Sequence, residues 1–106
     1  MALPPTEGST RDSADGLNAS QRTALDALTA RFRAGLPARL AEIDAAPPAA
    51  RTAALHRLAG AAGAYGFASL AAAAAQAERL APDAAPDAVE GALERVRAEL
   101  RAAIAP

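Results

Sequence analysis

The fold turns on one stretch, His56-Arg57-Leu58-Ala59-Gly60-Ala61-Ala62-Gly63-Ala64-Tyr65-Gly66. At about 100° per residue, Leu55, Leu58, Ala62 and Tyr65 gather on one side of a helix that Gly66 should stop. His56, the single histidine of the chain, projects away from the centre of that group and is read as facing solvent. Thr52, Ala59, Gly60 and Gly63 share its face, and all are small. A glycine inside a helix costs roughly 1 kcal/mol relative to alanine. In a chain this rich in alanine the cost of Gly60 and Gly63 is avoidable, and their place beside an exposed histidine points to close approach by another backbone or a partner surface.

Working outward, proline and glycine divide the rest into helices. Ser20 is the expected N-cap of a first helix to about Ala34, carrying Leu25, Leu28 and Phe32 at helical spacing. Gly35 and Pro37 interrupt it before a second segment through Leu40 and Ile43, and the sequence leaves open whether that point is a kink or a break. Pro47-Pro48 ends the second segment and starts the third helix, which carries Leu55, Leu58 and Ala62 toward Ala64. Residues 67–81 form a fourth, closed by Pro82 and Pro86. Residues 87–104 form a fifth, with Val89, Leu93, Val96, Leu100 and Ile104 on one stripe. Tyr65 and Phe67 are expected to anchor the core at the turn between the third and fourth helices. The expected architecture is all-α, an antiparallel four-helix bundle with an additional N-terminal helix. It occupies residues 19–106, after a disordered leader over residues 1–18.

Composition narrows the function. A chain of 106 residues supports one domain with a modest core. Apolar residues make up 52% of the chain, mostly alanine, with Phe32, Tyr65 and Phe67 the only aromatics. All eleven basic residues are arginine and the net charge is −1, with no basic patch interleaved with aromatics, which argues against nucleic acid as a partner. The leader has Pro4, Pro5, Gly8 and Ser9 but no basic start and apolar run, so it does not read as a signal peptide. Residues 58–77 carry no charge, yet alanine, three glycines, Ser69 and Gln76 make them a poor membrane helix. A cytoplasmic soluble domain is the default. Without cysteine there is neither disulfide nor thiolate metal site, and a lone histidine cannot chelate a metal by itself. The chemistry open to His56 is acid/base work or nucleophilic attack by the imidazole.

His56, Gly60, Ala61, Ala62, Gly66 ten positions after the histidine, Leu70 four further on, and Glu78 near the end of the following helix resemble the histidine-containing phosphotransfer (HPt) domains of two-component phosphorelays. The resemblance covers residues 20–103. It implies a four-helix bundle, a phosphohistidine carrier without kinase activity of its own, and a bacterial signalling role. By the resemblance, His56 accepts a phosphoryl group from a receiver-domain aspartate and donates it to another. The partners implied are response-regulator receiver domains and a hybrid sensor histidine kinase. No cofactor is expected in this chain, because the receiver supplies Mg²⁺. Glu78 would orient the ring, and Arg57, Gly60, Gly63, Thr52 and Ala59 would form the receiver-docking face. In one position the chain departs from the family: the basic residue usual three positions after the histidine is Ala59 here, leaving Arg57 as the nearest cation. A monomer is expected. Two other readings stand beside the relay: a module of the same fold that binds a receiver without taking phosphate, and a structural bundle that pairs through its alanine faces.

Overall fold

The computed structural model describes residues 18–81 and 83–105. Five helices, α1 (Ala19–Ala34), α2 (Leu36–Ala45), α3 (Pro48–Ala64), α4 (Ala68–Leu80) and α5 (Pro86–Ile104), make the described residues all-α, as expected. The leader expected over residues 1–18 lies, apart from Asn18, outside the described residues. The chain divides into two compact units, residues 1–31 and 32–106.

What is described of the first unit is the N-terminal arm of α1, and it differs from expectation twice. Its cap is Asn18 and not Ser20. The Asn18 Oδ1 accepts the Gln21 N–H at 2.8 Å while the Asn18 N–H donates to Gln21 Oε1 at 3.0 Å. This reciprocal box needs an amide or carboxylate three residues after the cap, which Asn18 has in Gln21 and Ser20 lacks in Thr23. Further along, Leu25 and Leu28 remain 38% and 46% exposed, so Phe32 alone of the expected stripe is buried. Helical spacing puts these residues on one face but does not supply anything to cover it.

In the second unit, α1 passes into α2 through a bend. Gly35 keeps right-handed helical angles (φ −86°, ψ −4°), donates to the Phe32 carbonyl at 3.1 Å and accepts from the Arg39 N–H at 3.1 Å. Pro37 has no N–H to return to the Arg33 carbonyl, and the helix axis bends where that rung is missing. From there α2, α3, α4 and α5 close a ring: α3 packs on α4, α4 on α5, and α2 on both α3 and α5. Along α3 and α4, His56 meets Glu78 while Gly63 meets Ala71, the crossing order of antiparallel helices. Leu36, Ile43, Leu55, Leu58, Leu70, Val96 and Leu100 fill the interior, with Ala73, Ala74 and Ala77 of α4 wholly buried among them. These three alanines place no side chain larger than a methyl between α4 and its neighbours, which is how an alanine-rich helix serves a small core. Leu36, fully buried just after the bend, belongs to none of the stripes read from spacing.

Two devices fix the ends of the helices that carry the site. After Ala64 the Phe67 N–H reaches the Ala62 carbonyl at 2.8 Å and the Gly66 N–H reaches Gly63 at 3.2 Å, with Gly66 at φ +86°. This is a Schellman closure, and it needs the left-handed residue that glycine supplies at least cost. The turn is clamped from outside by aromatic contact, Phe32 stacking on Tyr65 at 5.0 Å and lying 5.5 Å from Phe67, which brings together every aromatic ring of the chain. At the other end of α3, the Arg51 guanidinium donates to the Ile43 and Ala46 carbonyls at 3.1 and 3.2 Å, tying the start of α3 to the end of α2, where the Ile43 carbonyl also accepts the Ala46 N–H at 3.4 Å. Across the bundle, Arg97 of α5 bonds Asp44 of α2 at 2.9 Å and Glu90 and Glu94 of its own helix at 2.9 and 2.8 Å. The hydrogen bond to Asp44, then that to Glu90, holds its pKa above the ordinary guanidinium value.

Candidate functional site

The site is built on the middle of α3, where the buried stripe of Leu55, Leu58 and Ala62 fixes the rotation of the helix. That rotation turns His56 outward, and its side chain is 76% exposed. On α4 the stripe Leu70, Ala73, Ala74 and Ala77 does the same for Glu78, which follows Ala77 by one residue and so leans to the flank facing α3. The result is a contact of 2.8 Å between His56 Nδ1 and Glu78 Oε2, with the Glu78 side chain 29% exposed.

This contact divides the two ring nitrogens. An ionised carboxylate only accepts, so the bond requires the proton on Nδ1, and in the neutral ring Nε2 then carries the free lone pair. In that tautomer Nε2 carries the lone pair, on a side chain that is largely exposed and that Glu78 contacts through Nδ1. Should the ring become cationic, the same carboxylate is in place to balance it.

The remaining residues of the predicted face divide into two groups. Gly60 is exposed, and a Cβ built there would meet nothing within 4 Å. Gly63 is also exposed, and its Cβ would lie 3.9 Å from that of Ala71, an ordinary contact. Neither glycine is demanded by the packing of the chain on itself, so the space above them is open to a partner. Thr52 and Ala59 are half-buried, placed between the exposed face and the core stripe, and the Thr52 hydroxyl donates to the Pro48 carbonyl at 3.1 Å. With Gly60 and Gly63, the exposed residues on the His56 side of α3 include Ala49, Ala53 and Ala64.

Arg57 points to the α2 side, where its Nη2 meets Glu42 Oε2 at 3.0 Å, both side chains being 56% exposed. Glu42 had no signal in the sequence, because the pair joins different helices fifteen residues apart and no local spacing reports it. Among the described residues no group of three or more His, Cys, Asp or Glu side chains is placed to hold a metal ion, and no helix is long and apolar enough to cross a membrane.

Comparison with known proteins gives one family. The model of the Hpt domain matches residues 27–105. No curated protein and no solved structure gives a significant match. Hpt domains act in two-component phosphotransfer and interact with receiver domains in phosphorelays. Because the match takes in every helix that closes the bundle, and with them both the histidine and the carboxylate behind it, the chain belongs to the Hpt domain family.

Proposed function

We propose that this protein relays a phosphoryl group between receiver-domain aspartates, carrying it as phosphohistidine on Nε2 of His56. The observation that carries this reading is the 2.8 Å bond from His56 Nδ1 to Glu78 on a ring that is otherwise open to solvent. In the forward step the Nε2 lone pair attacks phosphorus of the receiver's aspartyl phosphate. The Nε2–P bond forms, the P–O bond to the aspartate breaks, and the aspartate leaves as a carboxylate. The ring keeps its Nδ1 proton and becomes cationic, which the Glu78 carboxylate offsets. The return step reverses these changes on a second receiver, with the protonated ring as leaving group.

Such transfer depends on positioning and charge stabilisation more than on covalent chemistry from the protein. Mg²⁺ and the acidic pocket would come from the receiver, and a hybrid sensor kinase would stand upstream. The carrier would work as a cytoplasmic monomer with no kinase activity of its own. Gly60, Gly63, Ala53 and Ala64 would let the receiver's backbone come close enough for its aspartate to reach Nε2.

Incubation with phosphorylated receiver domains from the same organism tests this directly. The parent chain should acquire acid-labile label while His56→Gln acquires none; label retained by His56→Gln would remove His56 from the role. A receiver that binds the parent and His56→Ala equally, with no phosphohistidine formed, would instead support the receiver-binding module. The feature favouring that second reading is the absence of a cation at Ala59.

A further inference from the structure

Phosphorylation of His56 would set a dianion beside the Glu78 carboxylate, with Glu42 a second negative charge on the neighbouring helix. Near the ring, α3 offers one cation on the exposed side, Arg57, and it is engaged with Glu42 at 3.0 Å. Arg51 on the same helix is committed to the Ile43 and Ala46 carbonyls, and Arg79 is turned a further 100° or so beyond Glu78, away from α3. The Arg57–Glu42 pair is more than half exposed on both sides, so water competes for it and it is held weakly. A phosphoryl dianion carries twice the charge of a carboxylate and offers three acceptor oxygens to the guanidinium fork, so it outcompetes Glu42 within reach of the same side chain.

We propose that Arg57 is a parked cation. Glu42 holds it at the α2 edge while His56 is free, and it moves onto the phosphoryl oxygens once Nε2 is phosphorylated. The pair is thereby a specificity-determining element, setting how well the chain holds the group it carries. This inference rests on the phosphohistidine reading.

The test uses the whole chain and phosphoramidate as donor, so no receiver is needed. In that reaction the P–N bond of the zwitterionic donor breaks, ammonia leaves, the Nε2–P bond forms and Nδ1 keeps its proton. The readout is the ³¹P titration midpoint at which the phosphoryl group on His56 takes its second negative charge. In Arg57→Gln the midpoint should rise by about half a pH unit, a threefold change, because the dianion loses its counter-charge. In Glu42→Gln it should fall, since the cation is released, and most of that fall should be lost when Arg57→Gln is also present. Arg57→Lys should lie between the parent and Arg57→Gln.

A merely structural pair predicts no movement of the midpoint in either variant, and that outcome overturns the inference while leaving the relay intact. A fall in Glu42→Gln that persists undiminished without Arg57 also overturns it, since it would reflect the carboxylate acting directly. Failure of the parent chain to form phosphohistidine overturns both readings. Both positions are at the surface, and unchanged helical content by circular dichroism confirms that the variants are folded.

Discussion

In the proposed relay the chemistry at His56 depends on which nitrogen keeps the proton, and the Glu78 carboxylate 2.8 Å from Nδ1 favours the proton there. Glu78→Gln separates orientation from charge. The amide oxygen introduced by that substitution could still accept the Nδ1 proton and preserve the tautomer, but it could not offset the cationic ring that forms during transfer. The rate of phosphoryl transfer should fall about tenfold, the scale of a lost charge-assisted hydrogen bond. Stability in urea should change little. A ¹⁵N spectrum of the ring still showing the Nδ1–H tautomer, together with the slowed transfer, would assign the loss to charge. The two residues were legible in the sequence, His56 by its setting and Glu78 by the resemblance to the HPt pattern, and the structure sets them 2.8 Å apart. The pairing of Arg57 with Glu42 was not legible, because Arg57 has neighbours on both flanks of α3 and only the position of α2 decides which one it meets.

At the scale of the helices, Gly60 within α3 and Gly66 in its closing turn do different work, and substitution by alanine should tell them apart. At Gly66, with φ +86°, a Cβ is strained whatever the space around it, so Gly66→Ala should lower stability by about 1 kcal/mol. At Gly60 a Cβ meets nothing and the backbone is helical, so Gly60→Ala should raise stability by about 0.5–1 kcal/mol. Urea denaturation followed by circular dichroism measures both. If Gly60→Ala stabilises the chain yet slows transfer from a receiver, the glycine serves the partner and not the fold. Helix ends show where reading by spacing stops short. Pro48 and Gly66 mark the bounds of α3 because each dictates its own backbone angles. Ser20 and Asn18 are both good caps by type, and the choice fell to Asn18 because Gln21 sits at the reciprocal position.

At the scale of the whole molecule, a core of few large side chains makes each one costly to trim. Leu58 is completely buried, and Leu58→Ala should cost about 2–5 kcal/mol, a large part of what a domain of this size has. The midpoint of urea unfolding measures it. Arg97 ties α2 to α5 through Asp44 and gathers Glu90 and Glu94 around it, so Arg97→Met should leave three carboxylates with no counter-charge. The expected loss is about 1–2 kcal/mol, partly recovered in added salt, which screens the remaining repulsion. The sign of its pH dependence follows from the raised guanidinium pKa. Stability from a raised pKa is fully present below the unfolded value and is lost only as the pH rises through the folded one. Arg97 itself therefore contributes no slope at neutral pH.

The sequence by itself determined the helices, their bounds to within a residue or two, the outward turn of His56 and the family to which the chain belongs. The helices, their bounds and the turn of His56 follow from properties that a segment carries alone, namely the period of its apolar residues, the fixed φ of proline and the left-handed freedom of glycine, while the family is carried by the motif around His56 and the match over residues 27–105. Tertiary structure decided what lies across a gap between segments. It closed α2 through α5 into a ring, left Leu25 and Leu28 exposed though their spacing matched a buried stripe, and filled the bend after Gly35 with Leu36. It also brought Glu78 to within a hydrogen bond of His56 and gave Arg57 to Glu42. A side chain's partner on another helix depends on where that helix packs, and packing is a property of all the stripes together.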